Sequence, residues 1–193
     1  MAGGDDLPTH SFQSQQDWDA WLEEHHADAR GVWLKIAKKA TGVASVSHAE
    51  ALEVALCYGW IDGQRARLDD THFLQKFTPR RARSGWSRVN VEKVSALIAE
   101  GKMQPAGLRE VERAQADERW DAAYDPQSAI TVPEDLQHEL DANPAAQTFF
   151  KTLDSRNRYA ILYRIQTAKK AETRSARIQK FLAMLAHGQK IYP

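Results

Sequence analysis

The sequence has very little cysteine and no long apolar run, and each shortage excludes a class of protein. Its 193 residues contain one cysteine, Cys57, so an internal disulfide and a multi-cysteine zinc site are excluded. No stretch approaches the run of about 18 apolar residues that a membrane-spanning helix needs. The first residues have neither a basic segment nor an apolar core, so we expect no secretory signal peptide. These shortages predict a cytoplasmic protein with no metal site, no cofactor and no inserted segment.

The chain also lacks an excess of either charge, with 26 Lys and Arg against 26 Asp and Glu. This balance argues against a general nucleic-acid or membrane-surface protein. The charges are nevertheless segregated, because residues 57–90 and 146–193 are basic whereas residues 1–56 and 104–145 are acidic. Either these blocks pair with each other in the fold, or the basic ones meet an acidic ligand or partner.

Several catalytic signatures are missing as well. The sequence has no glycine-rich phosphate cradle of the form G-x-G-x-x-G or G-x-x-x-x-G-K, and no H-E-x-x-H or G-x-S-x-G. Cys57 is nine residues from the nearest histidine, His48, and about 900° of helical rotation puts the two on opposite faces. A lone cysteine on an apolar helix face is typical of a small buried hydrophobe. No catalytic residue is therefore assigned.

Capping and alternation patterns predict an α+β body over residues 1–122, with residues 1–10 as a loose tail. Ser14 and Ser47 each stand three positions before an acidic residue, which predicts two capped helices. Gly59 should end the second of them. The stretches VWLKIAKK, WIDGQRARL and HFLQKFTP alternate as strands do. We therefore expect a small mixed or antiparallel sheet packed with helices.

The rest of the chain has only helical patterns. Residues 123–132 mix proline with small and polar residues, which predicts a linker. Residues 133–193 then form an all-helical C-terminal region. Its apolar stripes predict four helices, over residues 133–142, 144–153, 155–168 and 172–187.

Two stretches, CYGWIDGQRAR and TPRRARSGWSRVN, concentrate the polar and aromatic groups. Arginine offers a bidentate fork for carboxylate or phosphate, and tryptophan offers a stacking face. The helix that follows adds N–H donors at its N-terminus. A short turn joins the two strands concerned, so we expect both stretches to line one pocket for a small anionic ligand. The candidate ligand-binding residues are Trp60, Asp62, Arg65, Arg80, Arg81, Trp86, Ser87 and Asn90.

Three alternatives to this anion site stay open. The same side chains can form a structural Asp–Arg network that locks the loop onto the sheet. The pocket can instead belong to an enzyme of unknown reaction, with Asp62 as general base. The chain can also be an adaptor that binds an acidic protein through its basic C-terminal helices, at Lys169, Lys170 and Arg174.

The chain resembles the YdeI/OmpD-associated family, also called bacteriocin-protection proteins, in four ordered motifs: ALCYGWIDGQ, FTPRRARSGWSRVN, LIAEGKMQPAGL and AKKAETRSARI. The resemblance extends from about Trp18 to Gly188. It implies an N-terminal α+β part followed by a helical C-terminal region. It also implies a bacteriocin-protection or stress-related role, without a defined reaction or catalytic residues.

Overall fold

Four strands, eight α-helices and one 3-10 helix (Lys39–Thr41) make up the regular structure of residues 6–193, which is the part of the chain that the computed structural model describes. The strands are β1 (Thr9–His10), β2 (Val32–Ala37), β3 (Trp60–Arg67) and β4 (His72–Pro79). The first four helices are α1 (Gln15–His25), α2 (His48–Cys57), α3 (Arg88–Ala99) and α4 (Pro105–Ala116). The last four are α5 (Glu134–Asp141), α6 (Pro144–Thr152), α7 (Ser155–Gln166) and α8 (Ala171–Ala186). The predicted fold class, α+β with an all-helical C-terminal region, is confirmed.

The described chain divides into two compact units. The first holds the described residues through Trp86 together with Asn90–Ala122, and the second holds Ser87–Val89 and Ala123–Pro193. The predicted division into an α+β domain over residues 1–122, a linker over 123–132 and a helical region over 133–193 stays a prediction.

The sheet has the strand order β1-β2-β4-β3. Its β1–β2 pair is parallel, whereas β2–β4 and β3–β4 are antiparallel, so the sheet is mixed. The predicted loose tail over residues 1–10 lies partly outside the described residues. Its last two residues, Thr9 and His10, form β1 instead, because they pair with β2.

Both predicted capping boxes are present. The Ser14 hydroxyl accepts from the Asp17 backbone N–H at 3.2 Å, and the Ser47 hydroxyl accepts from the Glu50 backbone N–H at 3.3 Å. At its other end α2 stops as predicted, because Gly59 adopts a φ of 75° that favours glycine.

The core of the first unit lies on one face of the sheet. Leu34 and Ile36 of β2 and Phe77 of β4 are at most 1% exposed, and the Phe77 ring packs against Trp18 of helix α1. Strand alternation sends the intervening side chains, such as Trp33, to the opposite face, where they are only half-buried. The sheet therefore has a filled inner face and a partly exposed outer face.

The second unit is built around an apolar cluster from α5 to α8, in which Leu136, Ile161, Ile165 and Leu185 are fully buried. The only polar side chain that is fully buried among its described residues is Asn157. Within the described residues, no helix has the length and apolarity needed to cross a membrane.

Candidate anion-binding site

A cleft of about 490 Å³ opens on the outer face of the sheet, where β4 ends. Lys76 and Thr78 point into it because they alternate along β4 with Phe77, which faces the core. We call this feature the basic cleft. Its lining residues are Asp6, Leu7, Arg30, Lys76, Thr78, Pro79, Arg80 and Arg81.

The charge of the basic cleft is strongly one-sided. Among the described residues that line it, four basic side chains, from Arg30, Lys76, Arg80 and Arg81, stand against one carboxylate, that of Asp6. Arg30, Arg81 and Asp6 are exposed, so a ligand reaches them without displacing core side chains. Guanidinium groups at such positions bind carboxylate and phosphate oxygens by paired, charge-assisted hydrogen bonds.

The backbone fixes one wall of the cleft. The Arg80 N–H donates to the Gly59 carbonyl at 2.9 Å, which carries the β3–β4 pairing one residue past Pro79. A turn follows, in which the Arg81 N–H donates to the Ser84 hydroxyl at 3.0 Å. On the opposite wall, a Cβ at Gly31 would lie 2.8 Å from Cγ2 of Thr78. Glycine is therefore required there, and Arg30 is brought against the end of β4.

Arg80 and Trp86 are placed together as the sequence suggested, but they contact each other. The Arg80 guanidinium carbon lies 3.5 Å from the centroid of the Trp86 ring, and one of its nitrogens donates to the Gly85 carbonyl at 3.2 Å. The Trp86 side chain is 3% exposed and meets the Trp120 ring edge-on at 4.8 Å. The expected role of Trp86 as an open stacking wall is therefore corrected, because Arg80 covers one of its faces.

Trp60 is a core residue. Its side chain is 1% exposed, its indole N–H donates to the His26 carbonyl at 3.2 Å, and its ring meets Trp18 and Trp21 edge-on. A residue that is this enclosed stabilises the packing of α1 on β3 and offers no surface to a ligand.

Asp62 pairs with a histidine and not with the arginines expected beside it. Its carboxylate lies 3.0 Å from Nε2 of His48, the first residue of α2. Both side chains are about one-third exposed, at 31% for His48 and 29% for Asp62. The ladder is irregular just after Asp62, and irregularities of this kind commonly re-aim a strand residue. Asp62 does not line the basic cleft.

Arg65 lies at a distance from the cleft. It stands opposite Gln75, whereas Trp60 stands opposite Pro79 at the cleft end of the hairpin, and this separation of four residues along β4 spans roughly 13 Å at the rise of a strand. Its guanidinium donates to the Gln75 amide oxygen at 3.0 Å and covers the Phe73 ring at 4.4 Å. The expectation that Arg65 lies near Arg80 and Arg81 is therefore wrong.

The last two candidates, Ser87 and Asn90, also do not line the cleft. Ser87 belongs to the second unit, where it forms a bridge with Tyr124. Asn90 belongs to the first unit and is buried in α3. Only Arg80 and Arg81 of the eight candidates line the basic cleft.

Near the loop that follows β4, buried donors include Nε1 of Trp86 and Nη2 of Arg119, and neither has a hydrogen-bond partner among the described residues. The rest of the Arg119 guanidinium holds the Asp117 carboxylate at 2.7 and 2.8 Å and the Ser84 carbonyl at 2.8 Å. Among the described residues, no three His, Cys, Asp or Glu side chains are grouped as metal ligands.

Cys57 is buried at 8% exposed, as its position on the helix predicted. Burial raises the pKa of its thiol to about 11, with the carboxylates of Glu53 and Asp19 adding to the effect. A thiol with this pKa remains protonated at neutral pH, so it is a poor nucleophile.

Two arginines of the basic C-terminal stretch AKKAETRSARI form bonds within the second unit. Arg174 holds the Asp135 carboxylate at 2.6 and 2.9 Å and donates to the Ile165 carbonyl at 3.0 Å. Arg177 donates to the Arg164 carbonyl. These bonds satisfy carbonyls at the end of α7. The adaptor hypothesis stays a prediction, and it now depends on Lys169 and Lys170, which are exposed.

A family model described as a domain of unknown function, DUF8412, matches residues 10–110, which is just over half of the chain. The chain belongs to the DUF8412 family. All residues that line the basic cleft, except Asp6 and Leu7, fall within the matched range.

A second family model, described as bacteriocin-protection, YdeI or OmpD-associated, matches residues 129–188 of this DUF8412 member. The predicted resemblance to that family is therefore confirmed for the C-terminal region. Of the four motifs that carried it, only AKKAETRSARI lies in the matched range, and the other three lie in the DUF8412 range. No curated protein and no solved structure matches the chain.

Proposed function

We propose that this protein binds a small oxyanion ligand, a phosphate or a carboxylate, in the basic cleft. The observation that carries the proposal is the convergence of four basic side chains on one cleft, where the described lining residues include a single carboxylate. The four are Arg30, Lys76, Arg80 and Arg81. The volume of about 490 Å³ is in the range of pockets that enclose small molecules.

The exposure of each arginine side chain indicates its role in binding the ligand. Arg30 and Arg81 are exposed, so they supply the forks that grip the ligand. Arg80 is 7% exposed and stacks on Trp86, so it contributes a fixed positive charge behind them. A buried charge that does not have to reorganise when the ligand arrives favours binding of an anion.

The biological setting is part of the same proposal. The family description matched by residues 129–188 names bacteriocin protection. We propose that anion recognition by the N-terminal part serves a protective or stress-related role in the cytoplasm.

Isothermal titration calorimetry with inorganic phosphate, pyrophosphate and citrate tests the cleft. We expect the wild type to bind at least one of them. Arg30→Ala and Arg81→Ala should each weaken it about tenfold or more, because a hydrogen bond to a charged group is worth about 1.5–3 kcal/mol. Arg83→Ala is the matched control, since Arg83 is an exposed arginine of the same loop that does not line the cleft. Equal losses in all three variants, or no binding by the wild type, would reject the proposal.

A second candidate function rests on the His48–Asp62 pair. We propose a modified form of the enzyme hypothesis, in which His48 is the general base and Asp62 orients it through the 3.0 Å contact. A carboxylate in that position fixes the tautomer and the orientation of the imidazole.

Hydrolysis of p-nitrophenyl acetate, an activated ester, tests this second candidate. His48→Gln should lower the rate above background at least tenfold and Asp62→Asn should lower it less, whereas His138→Gln, at an exposed histidine of α5, should leave it unchanged. A wild-type rate equal to that of buffer would reject the candidate.

A further inference from the structure

Trp33 stands beside the basic cleft on the outer face of the sheet. It alternates with the buried residues Val32 and Leu34 along β2, and it is directly opposite Lys76 in the β2–β4 pairing. Lys76 in turn lines the cleft. Residues that are directly opposite in an antiparallel pair lie about 5 Å apart and share a face. The Trp33 indole is therefore one cross-strand position away from the place proposed for the anion.

The Trp33 ring is available at least in part. The side chain is half-buried, unlike Trp18, Trp60 and Trp86, which are at most 3% exposed. The Lys76 amine lies 5.9 Å from the ring centroid, which is near the outer limit for a cation–π contact. By comparison, Arg80 lies at 3.5 Å from Trp86. Trp33 thus keeps ring surface for a ligand, whereas Arg80 covers one face of the Trp86 ring.

A ligand that uses both features must carry an anionic group and a flat ring a few ångströms apart. A nucleoside phosphate has this arrangement, with its phosphate and its base joined by the ribose. Thr78 lines the cleft and follows Lys76 by two residues along β4, toward Arg81. A threonine hydroxyl both donates and accepts, so it is suited to a sugar or phosphate oxygen.

We propose that the anion bound in the basic cleft is the phosphate of a nucleoside phosphate whose base stacks on Trp33. This inference rests on the proposed anion-binding function and adds the identity of the ligand class. A single nucleotide is favoured over a nucleic-acid strand for two reasons. The chain carries equal numbers of basic and acidic residues, and a carboxylate, that of Asp6, lines the cleft along which a strand would have to continue.

Calorimetry at constant ionic strength, with adenosine, guanosine and cytidine monophosphates and with ribose 5-phosphate, tests the inference. We expect at least one nucleotide to bind about 5- to 100-fold more tightly than ribose 5-phosphate, which is the range that one base–aromatic stack supports. Trp33→Leu should reduce the affinity for the nucleotide to the affinity for ribose 5-phosphate. Trp33→Phe should keep most of the preference for the nucleotide. Neither variant should change the binding of ribose 5-phosphate itself.

The outcomes separate this inference from the function on which it rests. If neither the phosphate compounds nor citrate bind, the anion-binding function fails and the inference fails with it. If citrate binds but no phosphate compound does, only the inference is overturned. If ribose 5-phosphate binds as tightly as the nucleotides, or if the nucleotide preference survives Trp33→Leu, only the inference is overturned. A single-stranded oligonucleotide that binds far more tightly than every mononucleotide would also overturn it, in favour of a polymer ligand. Circular dichroism of each variant establishes that a loss of binding is not a loss of fold.

Discussion

The guanidinium carbon of Arg80 lies 3.5 Å from the centroid of the Trp86 ring. Both side chains are less than 10% exposed, so this cation–π contact is sheltered from water, where such contacts are strongest. The contact holds the loop that follows β4 against the end of that strand. It leaves Arg81, the next residue, exposed at the cleft.

The Arg80–Trp86 contact predicts that Trp86 acts mainly through stability. Trp86→Ala should lower the free energy of unfolding by about 3–5 kcal/mol, the usual loss for a buried tryptophan. Trp86→Phe should cost less, because a ring remains for Arg80 and the indole N–H that has no partner is removed. Urea denaturation measures both values. A Trp86→Ala variant as stable as the wild type would contradict the assignment of Trp86 to structure.

Replacing Asp6 should strengthen ligand binding, whereas replacing Arg30 or Arg81 should weaken it. Asp6 carries the one carboxylate among the described residues that line the basic cleft, so it repels an anionic ligand. Asp6→Asn should therefore tighten phosphate binding about two- to fivefold, which corresponds to an exposed charge interaction of up to about 1 kcal/mol. Asp121→Asn, at an exposed residue that does not line the cleft, is the control for the change in net charge. Weaker binding by Asp6→Asn would show that the carboxylate helps to hold the ligand.

The Cys57 thiol predicts a slow labelling reaction in the folded protein. Its pKa is raised from 9.0 to about 11, so the thiolate fraction at pH 8 falls by about two orders of magnitude. We expect Ellman's reagent to label the native protein at least 100-fold more slowly than the chain in guanidinium chloride. Because the chain has a single cysteine, the signal reports this site alone. Equal rates in the two states would contradict the burial of Cys57.

The Asp135–Arg174 pair predicts a contribution to stability that depends on pH. Hydrogen bonds from Arg174 hold the pKa of Asp135 below its ordinary value of 3.8. A carboxyl group whose pKa is lower in the folded chain stabilises the fold above pH 3.8 and loses this effect as the pH falls through the folded pKa. Asp135 is nearly half exposed, so we expect the pair to contribute about 0.5 kcal/mol to the free energy of unfolding.

Thermal unfolding between pH 7 and pH 2 measures this contribution. Asp135→Asn should be slightly less stable than the wild type at pH 7, and the difference should shrink toward pH 2. Arg174→Met should show the same pH-dependent loss together with a pH-independent one, because it also removes the hydrogen bond to the Ile165 carbonyl. The double variant should add little to the loss in Arg174→Met. A difference between Asp135→Asn and the wild type that is independent of pH would indicate packing rather than charge.

The elements of the fold follow from interactions between near neighbours, which explains why the sequence predicts them well. The capping serines of α1 and α2 bond to residues three positions away, and Gly59 ends α2 through its own backbone conformation. β1 was missed because a two-residue strand has no periodicity, and only its pairing with β2 defines it.

The candidate site depends on register and on long-range approach, so less of it could be predicted. Alternation along HFLQKFTP could have placed Lys76 on the face opposite Phe77, but nothing local to Arg30 indicates that Gly31 brings it against Thr78. The partner of Asp62 is His48, on another element. The sequence correctly grouped Trp86 with arginine. It does not show whether the face of the ring is open to a ligand or is covered by Arg80, as the structure has it.

Diffraction from crystals grown with tungstate, an oxyanion that scatters anomalously, tests the central claim most directly. The account predicts an anomalous peak in the basic cleft, in contact with Arg30 and Arg81, that is absent from the Arg30→Ala/Arg81→Ala double variant. An empty cleft in the wild type at a tungstate concentration that gives peaks elsewhere on the protein would contradict it.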